Sequence, residues 1–151
     1  MIELICRTET DTRAAAGRLA SLCRPGDVIV INGPLGSGKT AFTSGLADGL
    51  GVEERVTSPT FVLMRTYRSG FMPLVHVDVY RLSTAGEFED LDALDEAEGG
   101  VIVVEWGEAV ASALGEDRLT ITIEVADDGA RTLRMTPSGV WSSRPLEELV
   151  S

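Results

Sequence analysis

The sequence predicts an α/β sandwich whose central sheet is largely parallel, with antiparallel additions. Three observations carry that prediction. The apolar runs Val28–Ile31 and Val101–Val104 are strand-sized and lack polar alternation, as strands buried on both faces of a parallel sheet do. The first of them runs straight into a glycine-rich loop, Gly33–Gly38, and then into a helical stretch. The alternating segments Arg118–Val125 and Arg131–Thr136 flank Asp127-Asp128-Gly129, which predicts a hairpin and so the antiparallel part.

The remaining elements follow in chain order. Met1–Arg7 alternates apolar and polar residues and is expected as an edge strand. Thr10 is the expected cap of a helix reaching about Leu22, with Ala15, Leu19 and Leu22 on its apolar face. Pro25-Gly26-Asp27 marks a turn before the strand Val28–Asn32. A helix is expected from Lys39 to about Leu50, ended near Gly51. Phe61–Tyr67 and Leu74–Tyr80 read as strands of a hairpin around Arg68-Ser69-Gly70. The acidic stretch Thr84–Glu98 is expected to be helical in pieces, stopped by Gly99-Gly100. Short helices are expected at Glu108–Leu114 and Pro145–Val150. No repeat, low-complexity tract or linker interrupts the chain, so residues 1–151 are expected to form a single domain.

The bulk chemistry bounds the function. Of 151 residues, 44% are hydrophobic and 25% charged, as in soluble globular proteins. No run approaches the roughly 18 apolar residues of a membrane helix, and the start has neither a basic segment nor a long apolar one. A cytoplasmic protein with no membrane attachment is expected. Cys6 and Cys23 are isolated from each other and from the single histidine, which predicts small buried side chains rather than a metal cluster. A net charge of −11 leaves no basic footprint, so strong direct binding to nucleic acid is not expected. An acidic protein can still serve an RNA pathway through a basic partner. Of the 13 basic residues, twelve are arginine, and the one lysine is Lys39.

That lysine lies in Gly33-Pro34-Leu35-Gly36-Ser37-Gly38-Lys39-Thr40, a full match to G-x-x-x-x-G-K-[ST]. In this phosphate-binding loop, backbone N–H groups form an anion nest and the following helix adds its positive dipole end. Lysine supplies a compact ammonium on a flexible stem, where a planar guanidinium fits poorly. The expected nucleotide contacts are Gly33, Leu35, Gly36, Ser37, Gly38, Lys39, Thr40 and Ala41, with the Thr40 hydroxyl on Mg²⁺. The motif specifies the fold class further: a P-loop NTPase three-layer sandwich. Such a site needs acids for the metal and for the attacking water. Glu105 ends an apolar strand and Asp78 lies on an alternating one; with Lys39 they are the candidate catalytic residues, and with Thr40 the candidate metal ligands. Glu105 is assigned to the metal because it follows the most apolar strand, and Asp78 to the water or a switch loop. Thr57-Ser58-Pro59-Thr60-Phe61 falls where switch loops contact Mg²⁺ or the γ-phosphate, with Thr60 as the candidate contact; an ordinary Ser-Pro turn explains it equally well. A guanine-reading Asn-Lys-x-Asp box would need a second lysine, so ATP is expected over GTP.

The P-loop, Thr57–Phe61, His76-Val77-Asp78-Val79-Tyr80-Arg81-Leu82 and Glu105-Trp106 occur in an order and at a spacing that together resemble the bacterial TsaE (YjeE) family. The resemblance runs from about residue 10 to 110. Pro34 stands where that family usually has an acid, and Ser37 where it often has alanine; neither must give a side chain to phosphate. The resemblance implies an ATPase that uses ATP and Mg²⁺ and hydrolyses slowly alone. It implies association with the TsaB–TsaD complex, which modifies tRNA adenine beside the anticodon to N6-threonylcarbamoyladenosine; tRNA would be met indirectly, through the partners. It also implies that Lys39, Thr40, Asp78, Glu105 and Trp106 are functional. Two other readings compete: a small-molecule P-loop kinase, disfavoured because Arg65, Arg68 and Arg81 make no clear lid, and a nucleotide-dependent interaction module without hydrolysis. His76 reads as structural, Tyr80 and Arg81 as evenly balanced, and the acids between Glu87 and Glu98 as a solvated face or a docking surface.

Overall fold

Residues 1–57, 64–79, 85–106 and 110–150 are described by a computed structural model, and they form a seven-stranded sheet between helices. The strands are β1 (Ile2–Cys6), β2 (Asp27–Asn32), β3 (Met64–Tyr67), β4 (Leu74–Asp78), β5 (Val101–Glu105), β6 (Arg118–Val125) and β7 (Arg131–Ser138). The helices are α1 (Glu9–Ala20), α2 (Lys39–Gly49), α3 (Ala85–Glu89), α4 (Ala93–Glu96) and α5 (Ala111–Leu114), and two 3-10 turns, Gly139–Ser143 and Leu146–Leu149, close the tail.

The sheet order is β1-β7-β6-β2-β5-β4-β3. The four central strands, β6, β2, β5 and β4, are mutually parallel. β7 and β1 extend one edge and β3 the other, all antiparallel. The two continuous apolar runs are β2 and β5, side by side at the centre, and every residue of both is buried. Alternation along the strands sends side chains to opposite faces. Ile29, Ile31, Val101 and Val103 pack with Leu19, Phe42, Leu46 and Trp141 under α1 and α2. Val28, Val30, Ile102 and Val104 pack with Phe88, Ala93, Val110 and Leu114 under α3, α4 and α5. Helices on both faces give the three layers.

Several boundaries differ from expectation. α1 is capped by Thr8, not Thr10: the Thr8 hydroxyl accepts from Asp11 N–H, and the Asp11 carboxylate accepts from Thr8 N–H, a reciprocal pair that Thr10 cannot make. β7 runs through Pro137, tolerated because β1 pairs only as far as Met135 and so leaves that end of β7 an open edge. The short helix expected in the tail is the 3-10 turn Leu146–Leu149, preceded by a second such turn at Gly139–Ser143. Residues 61–63, 80–84 and 107–109 of the expected elements lie outside the described residues. Cys6 and Cys23 are both buried and unbridged, and burial pushes the Cys23 thiol up to about 12.

Candidate functional site

The site grows from the end of β2. Its sheet position is fixed by burial on both faces, so the chain leaves the sheet at Asn32 and must turn at once to start α2. Gly33 permits that turn: a Cβ there would lie 2.7 Å from Ser37 Oγ and 3.0 Å from Ile123 O. Gly36 and Gly38 take φ of +77° and +105°, the left-handed region open to glycine. Gly38 is the N-cap of α2 and gives no side-chain cap, so the helix start presents its N–H groups to an incoming anion.

Lys39 lies back along the loop. Its Nζ donates to Gly33 O at 2.6 Å and Pro34 O at 3.1 Å and sits 4.1 Å from the centre of the Trp106 ring. The residue is 6% exposed, and burial draws its ammonium below the ordinary lysine value, opposed by Glu105 and then Asp78. Those acids share one row of the sheet: Ile31 pairs with Glu105, and Glu105 with Asp78, across β2, β5 and β4. All three strands end there with their carboxyl ends together, the place where open parallel sheets bind ligands. His76 is fully buried one pleat below, and its Nε2 contacts Glu105 Oε2, which fixes that carboxylate.

Trp106 follows β5 with φ +67°, a conformation that costs a bulky residue of order 1–3 kcal/mol. Its N–H donates to Ile31 O at 3.0 Å, holding the turn against the P-loop strand. The strain thus places the indole over Lys39.

These groups border one cavity of about 480 Å³. Of the candidate site residues, Leu35, Gly36, Gly38, Lys39, Thr40, Ala41, Asp78, Glu105 and Trp106 line it. Ser37 and Gly33 do not line it: Ser37 is fully buried within the loop, its Oγ packed close to Gly33. Thr60, Tyr80 and Arg81 lie outside the described residues. Three lining residues escaped the sequence analysis: Glu9 and Thr12 from the first turn of α1, and Arg131 from the start of β7. Nothing in the linear sequence signals them, because the fold alone brings both segments to the loop.

The cavity has the donor set of a magnesium–phosphate site: a hydroxyl, two carboxylates in one row, an ammonium and a helix start. Among the described residues no three His, Cys, Asp or Glu side chains form a metal cage; magnesium takes only one or two protein carboxylates, keeping waters and phosphate oxygens for the rest.

The family model described as "Threonylcarbamoyl adenosine biosynthesis protein TsaE" matches residues 6–133. The chain is 47% identical to the tRNA threonylcarbamoyladenosine biosynthesis protein TsaE of Streptomyces coelicolor, over 91% of this chain and 98% of that one. It is 40% identical to the protein of that name from Bacillus subtilis, over 92% and 87% of the two chains. A crystal structure of Bacillus subtilis YdiB superposes with a TM-score of 0.81 at 35% identity, covering 98% of this chain and 93% of that one. With a P-loop at the carboxyl end of a central parallel strand, and matched by the family model and these relatives over most of its length, the chain belongs to the TsaE family.

Proposed function

We propose that residues 1–151 act as one ATPase domain that binds ATP with Mg²⁺, hydrolyses it, and supports N6-threonylcarbamoyladenosine modification of tRNA through a TsaB–TsaD complex in the cytoplasm. The observation that carries the reading is convergence. Lys39, Thr40, Asp78, Glu105 and Trp106, drawn from three separated segments, border one cavity at the start of α2.

Each residue has a part in that reading. The N–H groups of the loop and of the first turn of α2 bind the phosphates. Lys39 moves from the loop carbonyls onto the β- and γ-phosphates and offsets charge as the γ-phosphoryl group departs. Thr40 and Glu105 hold Mg²⁺, which supplies further charge neutralisation when bound. Asp78, one strand farther from the loop, orients the attacking water and accepts its proton. The acidity of the chain, −11 overall, fits a division of labour in which partners hold the tRNA. No helix among the described residues is long and apolar enough to cross a membrane.

The test is a pull-down of purified chain against TsaB–TsaD, run with ATP, with ADP and without nucleotide, beside a single-turnover ATP assay. Nucleotide-dependent capture and faster hydrolysis in the presence of the pair are expected. Capture without any ATP turnover would leave a binding module, and transfer of phosphate to a small acceptor would leave a kinase.

A further inference from the structure

Arg131 opens β7, yet its guanidinium works on a different element. Nε donates to Ser37 O at 3.0 Å and Nη2 to Gly36 O at 3.0 Å; Nη1 donates to Gly129 O at 2.6 Å. One planar fork therefore grips two consecutive carbonyls of the P-loop and the turn between β6 and β7, across 94 and 95 residues of sequence.

The grip has a geometric consequence. In a trans peptide the C=O and N–H point to opposite sides of one rigid plane. Holding Gly36 O fixes the plane that carries the Ser37 N–H, and holding Ser37 O fixes the plane that carries the Gly38 N–H. Ser37 N–H is itself turned onto Pro34 O at 3.1 Å, so the tight turn and the fork brace each other. This is the stretch where the backbone has least to restrain it, because Gly36 and Gly38 carry no side chain and sit at positive φ. Two parallel N–H donors in one plane suit two adjacent carbonyls, and an ammonium cannot reproduce that match. The arginine also lines the cavity, so its charge adds to the field that draws phosphate.

We propose that Arg131 is a positioning residue of the nucleotide site: it pins the peptide planes of Gly36–Gly38 in the phosphate-binding shape and ties the β6–β7 turn to that loop. The inference rests on the nucleotide-binding reading above.

Arg131→Lys tests it, since the variant keeps charge and most of the stem and loses the fork. Arg134→Ala is the control: it lies on the same strand, with exposed partners Glu3 and Glu124. ADP and ATP are titrated calorimetrically, steady-state ATP hydrolysis is measured, and melting without nucleotide is followed for each protein. Arg131→Lys should bind roughly tenfold more weakly. KM should rise by about that factor and kcat should change less, because the loop holds phosphate in ground and transition states alike. Its melting without nucleotide should match wild type, and Arg134→Ala should bind and turn over as wild type does. Wild-type affinity and KM in Arg131→Lys overturn the inference, as does an equal loss in Arg134→Ala. A lowered melting point with unchanged KM also overturns it, since that marks a merely structural arginine. If Arg131→Ala, run in parallel, fails to fold, the lysine variant decides. Wild-type protein that binds neither nucleotide overturns the site reading itself; wild-type binding with undisturbed Arg131 variants overturns only this step.

Discussion

At the scale of single residues, Lys39 is held at a cost to the folded chain. Burial is the largest influence on its ammonium and lowers its pKa from the ordinary 10.5, with Glu105 and Asp78 opposing. A base whose folded pKa lies below its unfolded value releases its proton first in the native state. Between the two values the unfolded chain binds more protons, so stability rises with pH in the window just below 10.5, and at pH below the folded value the penalty is fully present. Lys39→Met keeps the stem and removes the charge. The variant should bind ATP roughly 10²-fold more weakly or not at all, yet unfold in urea at neutral pH no more easily than wild type, with the difference shrinking as pH approaches 10.5. A variant clearly less stable at neutral pH would mean that the bonds to Gly33 O and Pro34 O outweigh the burial. Lys39 was legible in sequence because the whole motif is contiguous. Trp106 was legible only through family resemblance, since its role depends on a positive φ that no local pattern announces. Arg131 was illegible: on an alternating strand it reads as one more outward-facing arginine.

At the scale of elements, the site depends on how closely α2 approaches α1. A Cβ on Gly45 would lie 2.3 Å from Arg13 O, and one on Gly49 would lie 2.7 Å from Gly17 O and 2.6 Å from Ala20 Cβ. The helices thus cross on glycines one turn apart, backbone against backbone. Alanine at position 45 improves helix propensity by about 1 kcal/mol, while overpacking against an unyielding backbone costs about 1–3 kcal/mol or more. Collision with a carbonyl rather than a side-chain tip puts the balance on the overpacking side. Gly45→Ala should therefore lower stability by about 1–2 kcal/mol and weaken ATP binding too, because α2 carries Lys39 and Thr40 at its start. Chemical unfolding with and without ADP checks both; a stabilised variant would show that the helices separate freely. α1 was legible from its periodicity, though with the cap misplaced at Thr10, and α2 from the P-loop before it and Gly51 after it. Their contact was not, because a glycine inside a helical pattern reads as a weak position until a neighbouring backbone is seen beside it.

At the scale of the whole molecule, strand order decides the chemistry. The sequence supplied the apolar runs that become β2 and β5 and the hairpin that becomes β6 and β7, but not the whole order, since the pairings β1–β7, β6–β2 and β2–β5 join strands distant along the chain. The observed order puts β5 directly beside the P-loop strand and β4 beyond it, with Glu105 and Asp78 paired in one row. Both are buried, at 3% and 5% exposure, so neither is a merely solvated strand-end acid. They are not equivalent. Glu105 is next to the loop strand, acts more strongly than Asp78 on Lys39, and has one oxygen held by His76. A carboxylate so fixed suits a metal that demands near-ideal geometry. Asp78 lies one strand farther from the loop strand, and the water-orienting part of the proposed reading falls to it. Glu105→Ala should shift the Mg²⁺ concentration at which ATP binding is half-maximal. Asp78→Ala should leave binding near wild type and lower the single-turnover rate by roughly 10²-fold or more. ATP affinity across a Mg²⁺ series, with single-turnover rates at saturation, separates the two. If Asp78→Ala alone moves the Mg²⁺ midpoint, the roles are exchanged between the strands. If neither variant changes binding or turnover, the row of acids serves only the sheet and the site reading fails.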